Sequence, residues 1–198
     1  MSNVIRPQMD SIRFRQLRKR DYRDPKDFLK RLRSAELVLK QVEDEKVRRL
    51  RTQGLKEWRE TRVAALFCHG YGERIGQKIF FSKGEFEDAD CVAFWANGEE
   101  MHFAPVQIKE VAPKDLNSKA ELQDVLNSLG KYSGTNDLTV IIHLNQQVRF
   151  NPHELAIPPS LNISALWLLA CVSPDQSKWA IWGNYLDTPE KSEFLYPT

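Results

Sequence analysis

A carboxylate, an amide and an ammonium sit at even spacing near the middle of the chain: Asp90, then Gln107-Ile108-Lys109. Between them stands Asn97-Gly98, a two-residue turn signal flanked by two strand-like runs, Cys91 to Ala96 and Met101 to Val111. With Asn97 and Gly98 in the turn, Ala96 faces Glu99, Asp90 lies opposite Pro105, and Gln107 is its diagonal neighbour. Side chains alternate with a period of two, so Gln107 and Lys109 share the face of Asp90, while Val106 and Ile108 turn into the core. Asp88 falls on the same face and rivals Asp90, and Pro105 is a position where a bulge would weaken the register.

These residue types suit phosphodiester hydrolysis. Asp90 supplies a hard oxygen ligand for Mg²⁺ or Mn²⁺, and the Gln107 side-chain carbonyl and the Ile108 backbone oxygen can complete the site. A metal held there polarises phosphate and lowers the pKa of bound water. Lys109 can orient that water or offset charge that builds in the transition state. A carboxylate from the preceding helix, Glu60 by preference or Glu57, could hold a second metal or the attacking water. The triplet alone is also what any polar strand face would carry, so the elements around it matter.

Asp24-Pro25 reads as a helix start, with Asp as N-cap and Pro at the first helical position. Phe28, Leu32, Ala35, Leu39 and Val42 follow on one stripe, which packs on the main domain or on a second copy of the chain in a homodimer. A second helix is expected from about Leu55 to Tyr71, after a break at Gly54. Trp58, Val63, Leu66 and Phe67 form its apolar side, and Gly70, Gly72 and Gly76 end it. Lys78 to Ser82 reads as a strand. Ser118-Lys-Ala-Glu121 is a capping box that opens a helix with Leu122, Val125, Leu126 and Leu129 inward, closed by Gly130. Leu138 to Leu144 is a strand covered on both faces. Ala165–Val172 and Lys178–Trp182 form a further hairpin around Pro174-Asp175, whose tryptophans suit a core better than a base-stacking surface. The expected fold is α/β (α+β), a mixed sheet with flanking helices. It divides into a basic arm and helix over 1–54 and an α/β core over 55–198.

Glu60, Asp90 at a strand start, Gln107-Ile-Lys109 in an apolar strand and a helix after it together resemble the PD-(D/E)xK nuclease superfamily. The resemblance covers about Leu55 to Leu144, in the order αβββαβ, and implies a restriction-endonuclease-like fold. It carries the family's metal-binding aspartate onto Asp90, its second acidic ligand onto Gln107, its lysine onto Lys109 and its helix glutamate onto Glu60. Gln107 stands where Asp or Glu is usual, as in the QxK variant of Mrr-type restriction enzymes and some repair nucleases. A neutral ligand implies weaker metal binding. Gln123 and Tyr132 are too far apart for the Q-xxx-Y element of RecB-like members.

The net charge of +2 hides an asymmetry. Residues 1–62 hold 19 Lys/Arg against 10 Asp/Glu, and residues 63–198 hold 10 against 17. One part is thus suited to polyanions, the other to cations. Crowded basic residues at 13, 15 and 18–20 read as a flexible arm able to grip phosphates. The three cysteines lack CxxC spacing and the four histidines lack zinc spacing, so neither a disulfide framework nor a zinc site is expected. No apolar run approaches the roughly 18 residues that span a bilayer, and the basic start has no h-region, which points to the cytoplasm and away from a membrane. The expected function is Mg²⁺-dependent endonucleolytic cleavage, most readily of DNA. Two alternatives stay open: an inactive nucleic-acid-binding or assembly protein on the same fold, and an unrelated fold whose N-terminal helices form a dimer seam.

Overall fold

The computed structural model describes residues 11–39, 43, 56–132, 135–152 and 154–198. Expectations that concern residues 1–10, Val42, the Gly54-Leu55 helix start and His153 lie outside the described residues. The elements run α1 (Ser11–Arg18), α2 (Pro25–Leu39), α3 (Lys56–Ile75), β1 (Phe80–Phe86), β2 (Ala89–Asn97) and β3 (Glu100–Val111). Then come α4 (Leu122–Ser128) with a 3₁₀ turn over Leu129–Lys131, β4 (Thr135–Leu144), β5 (Ile163–Cys171), β6 (Lys178–Gly183) and β7 (Glu190–Leu195). All seven strands join one sheet in chain order. β3, β4 and β5 run parallel and the remaining neighbours antiparallel, so the fold is mixed α/β, as expected.

Short turns allow β1, β2 and β3 to meander, whereas the parallel step from β3 to β4 needs a long crossover, which α4 provides. β4 lies at the centre with Val140, Ile141 and Ile142 wholly buried, because both sheet faces are covered. Alternate residues feed two cores. Cys91, Val106, Ile141 and Leu169 pack with Leu29 of α2 and Leu66 of α3 on one face. Val140, Ile142, Leu166 and Leu168 pack with Leu122 and Leu126 of α4 on the other.

Several local expectations change. Residues 11–18 form a helix docked on the sheet rather than part of a flexible arm: Leu17 is wholly buried against Phe86 and Val92. Arg13 pairs with Glu87 and Asp137, and Arg20 donates to Ser82 Oγ at 2.8 Å and to the Gly84 carbonyl at 2.7 Å. α2 starts as expected, with Asp24 Oδ1 accepting the Lys26 N–H at 2.8 Å, but Ala35 of its stripe is exposed. Gly70 and Gly72 lie inside α3, where they permit close approach to the Phe194 ring and the Gln77 carbonyl. Only Gly76, at φ +65°, stands at its end. Trp58 is exposed rather than apolar core. The expected capping box does not form. Asn117 accepts the Lys119 N–H instead, and α4 begins after Glu121 without a side-chain cap. β7 was not expected, because Phe194 and Tyr196 are the only buried side chains in the polar run from Glu190.

Candidate active site

The β2–β3 hairpin turns at Gly98-Glu99, one residue later than Asn97-Gly98. Asn97 pairs with Glu100 and Cys91 with Val106. Gly98 takes a positive φ of 61° and Asn97 does not, the pattern of a type II′ turn with glycine at its first central position. The register therefore moves by two residues, and Asp90 falls level with Gln107 instead of Pro105. A shift of two preserves parity, so the three polar residues keep a common face. Pro105 pairs directly with Val92 without a bulge; the irregularity lies in β1, between Lys83 and Phe86.

Beyond the Cys91–Val106 pair the Asp90 side chain takes over from the ladder. Its Oδ2 accepts the backbone N–H of Ile108 at 2.7 Å and also the Gln107 amide Nε2. Gln107 is 9% exposed, so this partner is what satisfies a buried amide. Burial pushes the Asp90 carboxyl above its ordinary pKa. The Ile108 N–H and the positive fields of Lys109 and Lys56 oppose that rise without cancelling it. A half-buried carboxylate held at this cost is what a site for a cation or a proton carries.

Asp90 borders two clefts. One, of about 480 Å³, is lined by Glu85, Glu87, Asp88, Asp90, Gln107, Lys109, Lys131 and Tyr132. Lys109 and Lys131 both lie over the Tyr132 ring, at 5.6 and 5.1 Å from its centre. Two ammonium groups thus share the cleft with the carboxylate. The Lys131-Tyr132 pair stands there because the 3₁₀ turn after α4 brings it back over β3. Asp88 sits in the exposed β1–β2 turn on the rim of this cleft, and Asp90, not Asp88, holds the Ile108 N–H.

The second cleft, of about 330 Å³, is lined by Lys56, Glu57, Glu60, Thr61, Lys83, Asp90 and Ile108 among others. α3 thereby places Glu60 in a cleft that Asp90 also lines. Glu60 pairs with Lys56 at 3.4 Å, and Glu57 is turned to Lys83 at 2.7 Å. The other three candidate residues, Gln107, Lys109 and Glu60, therefore each share a cleft with Asp90.

The donors within reach of a divalent cation are the Asp90 carboxylate, the Gln107 amide oxygen and the Ile108 carbonyl, all hard oxygens that suit Mg²⁺ or Mn²⁺. Gln107 now turns its nitrogen to Asp90, as an amide must beside an anion. Beside a cation the same amide would present its oxygen. Among the described residues no group of three or more His, Cys, Asp or Glu converges to hold a metal, so the donor set is poor in charge. Cys68 and Cys91 are buried free thiols with pKa values pushed up by burial, which leaves them unsuited as nucleophiles. No helix of the described residues is long and apolar enough to cross a membrane. No protein-family model matches the chain, and no curated protein and no solved structure matches it either.

Proposed function

We propose that this protein is a metal-dependent nuclease that hydrolyses phosphodiester bonds in DNA, built on a PD-(D/E)xK-like core. One observation carries the reading. Asp90, Gln107 and Lys109 line one cleft, and Glu60 of the preceding helix lines a second cleft that Asp90 shares, within an α3–β1–β2–β3–α4–β4 order. Asp90, Gln107 and the Ile108 carbonyl would hold Mg²⁺ or Mn²⁺. When bound, such an ion polarises the phosphate and eases deprotonation of water. Lys109 offsets the negative charge that grows on the phosphoryl oxygens. Glu60 orients the attacking water by accepting its proton in a hydrogen bond. Lys131, which lies over the same Tyr132 ring as Lys109, steadies a neighbouring phosphate.

The test is cleavage of plasmid and labelled oligonucleotides with Mg²⁺ or Mn²⁺, comparing wild type with Lys109→Ala and Asp90→Ala. Loss of one charge-stabilising donor at a transition state costs about 10²–10³-fold in turnover, and Lys109→Ala is expected to lose that much. Cutting that survives both substitutions would reject the proposal. A second reading, nucleic-acid binding without cleavage, gains support from the charge-poor donor set. It predicts oligonucleotide binding by wild type with no metal-dependent cutting.

A further inference from the structure

Trp58 is the one aromatic among the exposed large hydrophobic side chains of the described residues, with 49% of its surface open. Its indole leans on Phe28 of α2, with ring centres 6.3 Å apart and planes 23° from parallel, so it is braced rather than loose. Arg23 and Lys83 border the hollow beside it, together with Glu57 and Thr61. Glu57, Thr61 and Lys83 also line the cleft of Glu60 and Asp90, so the two hollows share a wall. Trp58 and Glu60 are two residues apart on α3, a rise of about 3 Å but about 200° around its axis. The shared wall of Glu57, Thr61 and Lys83 is therefore what joins their hollows.

We infer that Trp58 is a stacking platform for an unpaired nucleobase next to the phosphate that is cut, and that the substrate is single-stranded or frayed at the cut site. The inference rests on the nuclease reading of the Asp90 cleft. The half of the indole that Phe28 leaves open costs solvation, and a base offers it a π-face whatever its identity. Bases inside a duplex already stack on one another and cannot reach a protein ring unless they are extruded. The flanking cations Arg23, Lys56 and Lys83 suit the phosphates on either side of such a base. An aromatic wedge that entered duplex DNA intact would also need a groove-shaped basic surface. Here the clefts carry Glu57, Glu60, Glu85 and Asp90 as well as lysines.

The test is fluorescence anisotropy in EDTA with a labelled single-stranded DNA of about 20 nucleotides and the duplex made from it, using wild type, Trp58→Ala and Trp58→Phe. Wild type is expected to prefer the single strand. Trp58→Ala is expected to weaken single-strand binding about 5- to 150-fold, the range of one lost stacking contact, with duplex binding unchanged and Trp58→Phe close to wild type. Equal binding of the single strand by wild type and Trp58→Ala would overturn the inference, as would an equal loss on both DNAs. The nuclease reading fails separately. Wild type that binds the single strand through Trp58 but never cuts with Mg²⁺ or Mn²⁺ would refute the catalysis and leave the stacking platform standing.

Discussion

At the scale of single residues, the contact between Gln107 and Asp90 sets what this site can do. The buried amide donates to a half-buried carboxylate whose pKa burial has already raised. A glutamate at this position, the residue that the PD-(D/E)xK pattern would place there, turns a donor–acceptor pair into two facing anions with only the Ile108 N–H between them and the β3 backbone. Two consequences follow from that one change. Without metal, Gln107→Glu loses a charge-assisted hydrogen bond and gains repulsion, so stability falls by roughly 1–3 kcal/mol. With metal, the added ionised oxygen strengthens the donor set, so Mn²⁺ raises the stability of the variant more than that of wild type. Urea midpoints in EDTA and in Mn²⁺ measure both effects. A variant as stable as wild type in EDTA would show that the Gln107 amide does not lean on Asp90. Lys109 belongs to this scale as well, since its ammonium lowers the carboxyl's pKa and lies over the Tyr132 ring.

At the scale of elements, α2 and the β2–β3 hairpin show which local signals carry over into the fold and which yield to it. Asp24 caps α2 through the N–H groups of Lys26 and Asp27, and its other oxygen pairs with Lys78 at 2.7 Å. Partial burial works to raise the Asp24 pKa, but the Lys78 ammonium and those N–H groups outweigh it, and the net direction is down. A carboxyl lowered on folding stabilises the protein above its unfolded pKa, near 3.8. That contribution is lost as pH falls through the lowered folded value. Asp24→Ala is therefore expected to cost about 1 kcal/mol at neutral pH, the usual worth of a cap, and less in strong acid, where only the neutral cap hydrogen bond is left to lose. A difference in urea midpoint that stayed constant with pH would place the cost elsewhere. The Asp24-Pro25 signal was legible because everything it needs lies within three residues. The site was legible for a similar reason, since parity survives a slip of two in the Asn97-Gly98 turn and only the exact partner of Asp90 was misplaced. The Ser118–Glu121 box failed where a competing turn at Asn117 takes the Lys119 and Ala120 N–H groups and the helix starts only at Leu122. Trp58 was missed because helical spacing places it beside apolar neighbours, whereas its exposure depends on what α2 leaves uncovered.

At the scale of the whole molecule, the charge asymmetry has a different structural meaning from a tether of positive charge. Two of the arginines near the start of the described chain are spent on the fold. Arg13 links Glu87 in the β1–β2 turn to Asp137 in β4, and Arg20 gathers Ser82 and the carbonyls of Lys83 and Gly84. Both also lie over the Phe86 ring. α1 thus closes the sheet face that carries Asp90 and Lys109, and it braces the turn that holds Glu87 and Asp88 on the cleft rim. Its anchor is Leu17, wholly buried between Phe86 and Val92. A detached arm would tolerate Leu17→Ala without loss of stability and would show only a change in salt-dependent DNA binding. A docked helix must pay for the cavity, and burial this complete sets the cost at about 2–5 kcal/mol. The cleft should suffer with it, because a loosened β1–β2 turn leaves Asp88 and Glu87 free to wander beside Asp90. Leu17→Ala is accordingly expected to lower the urea midpoint and, on the nuclease proposal, to reduce metal-dependent cleavage with it. Exposed arginine substitutions such as Arg18→Ala leave the urea midpoint unchanged and alter only the salt dependence of DNA binding. An unaltered urea midpoint in Leu17→Ala would return α1 to the role of a tether and detach the basic segment from the architecture of the site.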